Sequence, residues 1–196
     1  MGRTAILGKR VLGAASAVFR KAGYGGSSMD EIAAEAKVSK ATLYRYYPTK
    51  KSLFAAVLGD LPVAQFEAPR GLGGRPTDVL RKLGRHILEA LCDPAYQDLM
   101  RVTLAERSRF PELSAALWDQ VIGRGVRLMT GLLTKEVAKG NLRRLDPALA
   151  AQEFVGMLLA FALMQGFAPR PTKRDPDQVV SQAVEVFLFG SKQRHG

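Results

Sequence analysis

The chain has 196 residues, which is enough for one large domain or for a small domain joined to a medium one. Its composition, 47% hydrophobic and 24% charged, is typical of a soluble globular protein with ample apolar material for a core. The formal net charge of +11 favours a polyanionic partner, although a membrane surface or a generally basic fold would also fit.

A single cysteine excludes an internal disulfide bond, which suits a reducing compartment. Cys92 lies in an apolar run, and we expect its side chain to be buried. The first residues do not form the apolar core of a signal peptide, because Lys9 and Arg10 interrupt them. The apolar stretch at 154–163 is shorter than the roughly 18 residues that a membrane span requires. We therefore expect a cytoplasmic protein.

The positive charge is concentrated near the N-terminus. Residues 1–54 contain ten basic and three acidic residues, which accounts for +7 of the total +11. If the partner is a nucleic acid, this segment is where we expect it to bind.

The chain lacks the alternating β-branched runs of strands, so every predicted element is a helix. The first helix is predicted over about 4–22, and Gly23 ends it as a residue able to adopt positive φ. Ser28 and Glu31 form a capping box that begins a second helix, which continues to residue 36.

A third helix is predicted to begin after the cap residue Ser39 and to stop at Pro48. Thr49 caps a fourth helix, which runs to about residue 61. The Gly- and Pro-rich stretch at 67–76 is predicted to be a loop that ends the first domain. Two later helices begin at Asp146-Pro147 and Asp175-Pro176. The other predicted helices cover 77–92, 95–109 and 111–139, which gives about nine in all.

The second and third helices are joined by a short turn, as in a helix-turn-helix. On the helical wheel Leu43 and Tyr47 lie together and can pack on the domain, whereas Ala41 and Arg45 point nearly the opposite way. Small and hydrogen-bonding side chains on that outward face suit a DNA major groove. Thr42 and Tyr44 flank this face, and Lys40 and Lys50 are placed for backbone phosphates.

Residues 23–33 (GYGGSSMDEIA) and 38–54 (VSKATLYRYYPTKKSLF) closely resemble the DNA-binding domain of TetR-type regulators. The resemblance covers about the first 60 residues. It implies an all-α homodimer that reads a palindromic operator, with a helix-turn-helix domain at 1–60 and a larger helical effector-binding and dimerisation domain at 61–196. It further implies DNA-facing side chains at Lys40, Ala41, Thr42, Tyr44, Arg45 and Tyr46, and phosphate contacts at Ser27, Ser28 and Lys50.

The segment at 154–164 is apolar nearly all round, so both of its faces must be covered. One face can meet its own domain, and we expect the other to meet a symmetry mate together with the last helix. The alternative is that both helices are central in a monomer. The residues predicted to form the dimer interface are Phe154, Leu158, Phe161, Val180, Val184 and Phe187.

An apolar effector pocket is predicted between helices, although such residues are more often plain core. Its candidate lining residues are Met100, Leu104, Phe110, Leu117, Trp118, Met129, Met157 and Phe161. We expect no catalytic residues, no metal and no cofactor, because no His, Cys or carboxylate cluster has the required spacing.

Three classes of function remain open. The first is a repressor that a small apolar or amphipathic effector releases from DNA. The second is a DNA-binding protein controlled by a protein partner. The third, an all-α enzyme with an incidental basic patch, has little support without a catalytic constellation.

Overall fold

The computed structural model describes residues 3–65, 75–167 and 174–191, in which all regular structure is helical. The predicted loop at 67–76 lies, apart from Arg75 and Pro76, outside the described residues. The helices are α1 Arg3–Gly26, α2 Met29–Glu35, α3 Lys40–Tyr46, α4 Lys50–Asp60, α5 Pro62–Gln65, α6 Pro76–Leu91, α7 Pro94–Glu106, α8 Glu112–Leu117, α9 Gly123–Ala138, α10 Pro147–Phe167 and α11 Pro176–Ser191.

The long helix predicted over 111–139 contains a π-helical turn between two α-helical parts. Residues Trp118–Ile122 form a π-helical turn that continues α8 and leads directly into α9. If this run is counted as one helix and the single turn α5 is omitted, the described residues contain nine helices, as predicted.

The predicted starts of α2, α3 and α4 are confirmed by side-chain hydrogen bonds, and the predicted break at Gly23 by its backbone angles. Gly23 has φ 75° and ψ 172°, which breaks α1 three residues before its last residue. The hydroxyls of Ser28 and Ser39 accept the backbone N–H of Glu31 and Thr42, each at 3.1 Å. Thr49 is part of a reciprocal capping box with Ser52.

The starts of α10 and α11 are also confirmed. The Asp146 carboxylate accepts the N–H of Ala148 at 2.9 Å, and the Asp175 carboxylate accepts the N–H of Asp177 at 3.0 Å.

By their contacts the described residues fall into two compact units. The first unit lies within Met1–Gln65 and Pro94–Ile122, and the second within Phe66–Asp93 and Gly123–Gly196. A division of the chain near residue 60 was the sequence-based expectation. Contacts place α7 and α8 with the N-terminal helices, because α7 packs on α1 and α8 packs on α4.

The core of the first unit is built around an aromatic cluster. The cluster contains Phe19 and Tyr24 of α1 and Phe54 of α4, whose ring centroids lie 5.2–5.8 Å apart. Phe110 packs edge-on against Tyr24, with ring centroids 5.0 Å apart. These contacts hold α1 to α4 and to the residues that follow α7.

The core of the second unit is formed by α6, α9, α10 and α11. The ring of Phe154 packs edge-on against Phe187 with centroids 5.3 Å apart. Gly84 of α6 permits this packing, because a Cβ there would lie 3.0 Å from Val180 and 3.1 Å from Phe154.

The predicted dimer-interface residues require a correction. Five of the six, all except Phe161, are buried inside a single chain. The sequence of α10, which is apolar nearly all round, does not reveal which side meets its own domain. On α11 the packing against α6 and α10 covers the apolar residues that the sequence left available for a partner. The five are Phe154, Leu158, Val180, Val184 and Phe187.

The apolar part of α10 is longer than the stretch at 154–163 that the sequence suggested. The segment Pro147–Gln165 is long and apolar enough to span a membrane by length and composition alone, with 33% of it buried inside the chain. It packs against α6, α9 and α11, as the core helix of a globular unit does.

Cys92 is exposed, so the expectation of a buried thiol is wrong. Cys92 is the C-cap of α6, one residue beyond the buried Leu91, where the helix and its apolar face end.

Candidate nucleic-acid interface

The orientation of α3 is set by one buried residue. Leu43 is 0% exposed, whereas Tyr44 and Tyr46 on the outer side are 46% and 41% exposed. Ala41 and Arg45 are also exposed, as the helical wheel predicted. The helix therefore presents a small residue, two phenols and a guanidinium to its surroundings, a set of groups able to contact base edges and phosphates.

The N-terminal end of α3 is held by its own cap. The hydroxyl groups of Ser39 and Thr42 lie 2.8 Å apart in a hydrogen bond, and Thr42 is half-buried. Thr42 therefore keeps its methyl and hydroxyl groups at a fixed place beside the exposed face. At the other end Arg45 lies over the ring of Tyr46, 5.1 Å from its centroid.

Lys40 and Lys50, which were both assigned to phosphates, lie in different surroundings. Lys40 Nζ is 2.5 Å from the Asp30 carboxylate in an exposed ion pair. Lys50 Nζ donates to the backbone oxygens of Tyr24 and Ser27, at 2.6 and 2.8 Å, and lies 4.6 Å from the centroid of the Tyr24 ring. In this structure Lys50 thus holds the connection between α1 and α2.

The pKa of Lys50 reflects this position. Partial burial lowers the pKa of Lys50, the nearby Glu106 carboxylate opposes the shift, and the Arg109 guanidinium adds to it.

The two serines before α2 also differ. Ser28 is exposed and caps α2. Ser27 is buried, and its hydroxyl donates to the backbone oxygen of Tyr24 at 2.8 Å. The side chain of Ser27 therefore stabilises the chain reversal from inside, whereas Ser28 lies at the surface.

Glu106 was missed by the sequence analysis. Its two carboxylate oxygens accept the backbone N–H of Tyr24 at 2.6 Å and of Gly25 at 2.7 Å. The sequence Gly23-Tyr24-Gly25-Gly26 does indicate a turn with free amides, but only the packing of α7 against α1 shows which residue accepts them.

The predicted effector-pocket residues divide between the two units. Met100, Leu104, Phe110, Leu117 and Trp118 belong to the first unit, and Met129, Met157 and Phe161 to the second. Their exposure varies widely, since Leu104 and Trp118 are exposed whereas Met129 is fully buried. The pocket stays a prediction.

The outer sides of α10 and α11 expose apolar side chains. Met164, Val186 and Leu149 are 68%, 56% and 54% exposed. A groove of about 570 Å³ lies beside Phe161 and is lined on α11 by Val179 and by polar residues. We call the outer sides of these helices the α10–α11 face.

Among the described residues no group of three or more His, Cys, Asp or Glu side chains could hold a metal ion. The sequence-based expectation of no metal and no cofactor stays a prediction.

Comparison with known proteins matches both parts of the chain. A family model described as bacterial regulatory proteins of the tetR family matches residues 11–57. A second, described as the C-terminal domain of AefR-like transcriptional repressors, matches residues 78–190.

Individual relatives agree with these matches. An HTH-type transcriptional regulator of Mycobacterium bovis is 30% identical over 159 residues, which cover 81% of this chain and 75% of the relative. The DNA-binding transcriptional repressor TetR of Mycobacteroides abscessus is 30% identical over 133 residues, covering 67% of this chain and 68% of the relative.

Solved structures share the fold. The flavonoid-responsive regulator FrrA is 27% identical, with a TM-score of 0.74 over 97% of this chain and 99% of FrrA.

Proposed function

The chain belongs to the TetR family of transcriptional regulators, and we propose that it is a repressor that binds a palindromic operator as a homodimer and is released by a small molecule. The observation that carries this proposal is the outer face of α3. A seven-residue helix anchored by Leu43 leaves Tyr44, Arg45 and Tyr46 exposed together, and these hydrogen-bonding side chains suit contacts with base edges and phosphates.

The proposed DNA contacts follow from the surroundings of each residue. Ala41, Thr42 and Tyr44 read base edges, and Arg45 and Tyr46 contact bases or backbone. Two further groups contact phosphates: Lys40, which exchanges its ion pair with Asp30 for DNA, and Ser28 with the free amides at the start of α2. Lys50 adds positive charge close to the start of α2, and the buried Ser27 supports the turn that precedes this helix.

Selection of bound sites from random DNA by the purified protein tests this function. A palindromic consensus is the expected result, because two identical heads related by a two-fold axis read inverted half-sites. Operator affinity should also fall with salt, with a log–log slope of about −0.9 per phosphate contacted. Recovery of no consensus, with a flat salt response, overturns the proposal.

For the homodimer we propose the α10–α11 face as the interface. Only a third of the apolar segment Pro147–Gln165 is buried in one chain, and Met164 protrudes from it. Val186 of α11 is also exposed. A second copy of the same face would cover these side chains and the groove beside Phe161.

Met164→Glu tests the interface, because it places a charge among apolar side chains. The variant should be a monomer by light scattering where the unaltered protein is a dimer. Thr134→Glu adds the same charge at an exposed position of α9 and should stay dimeric. A dimeric Met164→Glu protein excludes this face.

The effector is proposed to be a small apolar or amphipathic molecule. FrrA, which shares the fold over nearly its whole length, is a flavonoid-responsive regulator. The chain offers a direct reporter, since its single tryptophan, Trp118, is one of the predicted lining residues.

Titration with a panel of planar apolar molecules that includes a flavonoid is the corresponding experiment. Saturable change in Trp118 fluorescence together with release of operator DNA supports the effector model. A change in neither favours the alternative, control by a protein partner. We propose no enzymatic activity, and a cytoplasmic location where the operator is accessible.

A further inference from the structure

The connection between α1 and α2 is held from outside the DNA-binding helices. This α1–α2 turn, residues 23–28, contains Gly23 with a positive φ, so its backbone N–H groups cannot follow the helical hydrogen-bonding pattern. Glu106 is the last residue of α7, and its carboxylate accepts the backbone N–H groups of Tyr24 and Gly25 in place of helical carbonyls. Because the acceptor is a carboxylate, both bonds are charge-assisted, and both are short.

The glycines of this turn fit closely against the carboxylate. A Cβ on Gly23 would lie 2.7 Å from one Glu106 oxygen, and a Cβ on Gly25 would lie 2.7 Å from the other. A larger residue at either position would push the carboxylate away, so the turn and Glu106 require each other.

The acceptors of the same turn are held by another helix. Lys50 Nζ, in the first turn of α4, bonds the carbonyl oxygens of Tyr24 and Ser27. The donors of the turn are therefore held by α7 and its carbonyls by α4. The next residue, Ser28, is the N-cap of α2, so the position of the turn sets where the helix-turn-helix begins.

We infer that Glu106 is a positioning residue for operator binding. Its carboxylate fixes the α1–α2 turn, and through the turn it fixes the placement of α2 and α3 on DNA. The inference rests on the proposed function, because it assumes that α3 reads an operator.

The direction in which DNA affinity changes when the Glu106 charge is removed distinguishes a positioning role from simple electrostatic repulsion. Removal of a negative charge from a DNA-binding unit should strengthen DNA binding, since less negative charge opposes the phosphates. Loss of a positioning contact weakens operator binding, because a smaller fraction of the protein has the binding-competent arrangement.

The experiment compares Glu106→Gln with Asp98→Asn, using the selected operator and a random-sequence duplex. Asp98 is a matched control, since it also lies on α7 and pairs with Arg20 of α1, but through a partly exposed side-chain ion pair. Its other ion pair is with Arg101 of its own helix. We expect Glu106→Gln to weaken operator binding roughly tenfold or more, the usual scale for loss of a charge-assisted bond. Binding to random DNA should not weaken in Glu106→Gln, and neither affinity should weaken in Asp98→Asn, because each change only removes a negative charge that opposes the phosphates.

Amide measurements report the contact itself. In spectra of the free protein the N–H protons of Tyr24 and Gly25 should move upfield and exchange faster in Glu106→Gln than in Asp98→Asn. A change of this kind belongs to the turn and does not follow from general destabilisation.

A second variant keeps the inference testable if Glu106→Gln folds poorly. Gly25→Ala should weaken operator binding in the unaltered protein, because its Cβ displaces the Glu106 carboxylate. Gly25→Ala should weaken operator binding less in a Glu106→Ala protein, because the carboxylate that the new Cβ would displace is absent there.

Equal or tighter operator binding by Glu106→Gln, or strict additivity of the Gly25 and Glu106 changes, overturns the inference. If the unaltered protein selects no operator, the proposed function fails instead, and the two failures are distinguishable.

Discussion

Two helices of this protein expose large apolar or aromatic side chains for different reasons. The seven-residue α3 buries one residue fully, Leu43. Because the other residues of α3 are mostly polar, only one side of the helix can face the core. The 21-residue α10 is apolar on nearly every side and buries several residues while Met164 protrudes. The contrast shows that an amphipathic helix can be oriented from its sequence, whereas a helix without a polar face cannot.

The consequence is visible in the two candidate surfaces. The outward residues of α3 are those that the helical wheel predicted. On α10 and α11, by contrast, the predicted interface residues Phe154 and Val184 point into the core of the second unit.

The largest expected effect tests the inward side of α10. Phe154→Ala should lower the free energy of unfolding by about 3 to 5 kcal/mol, because it removes a fully buried ring that packs on Phe187. Denaturant unfolding at two protein concentrations measures the loss. Gln152→Ala, exposed on the same helix, should change stability by less than about 0.5 kcal/mol.

If Phe154 instead lay at an interface, its substitution would change the monomer–dimer equilibrium and leave the stability of the monomer intact. That outcome would reverse the assignment of inner and outer sides on α10.

A similar change in α3 tests the single anchor of that helix. Leu43→Ala should cost about 2 to 5 kcal/mol, since Leu43 is fully buried. Because α3 has no other fully buried residue, the loss should be accompanied by faster amide exchange in α3 than in α1. Uniform exchange across the first unit would show that α3 is held by contacts other than Leu43.

The outer side of α3 should respond in binding and not in stability. Tyr44→Ala should weaken operator binding by about 1 to 3 kcal/mol, the usual range for a base contact, and leave the unfolding free energy within about 0.5 kcal/mol. Fluorescence anisotropy and thermal unfolding measure the two quantities. Tyr44→Phe separates the hydroxyl from the ring, and an unchanged footprint for Tyr44→Ala would remove Tyr44 from the interface.

The smallest effect concerns the start of the helix-turn-helix. Ser28→Ala removes the hydroxyl that accepts the Glu31 N–H and should cost about 1 kcal/mol of stability. Ser114→Ala, at an exposed position within α8, should cost nothing measurable. If Ser28→Ala and Ser114→Ala had the same unfolding free energy, water would replace the Ser28 hydroxyl at the Glu31 N–H without loss of stability.

Local features of the chain were predictable because they depend on neighbours in sequence. The caps at Ser28, Ser39 and Thr49 and the break at Gly23 involve residues within about four positions of one another. The exposed face of α3 follows from the same short-range geometry.

Other features depend on partners distant in sequence, which the pattern of residues does not reveal. The Glu106 carboxylate accepts the N–H of Tyr24, 82 positions away in the sequence, and the Lys50 ammonium donates to the carbonyl oxygen of Tyr24, 26 positions away. The pattern assigned Lys50 to phosphate alone and gave Glu106 no role.

The sequence by itself determined that the protein is helical, where its helices begin, and which side of α3 faces outward, since capping and amphipathic periodicity are local properties. Only the tertiary structure decided which side of α10 is interior and which carboxylate holds the α1–α2 turn. Burial and long-range hydrogen bonds depend on how helices pack, and packing brings together residues whose spacing in the sequence carries no sign of it.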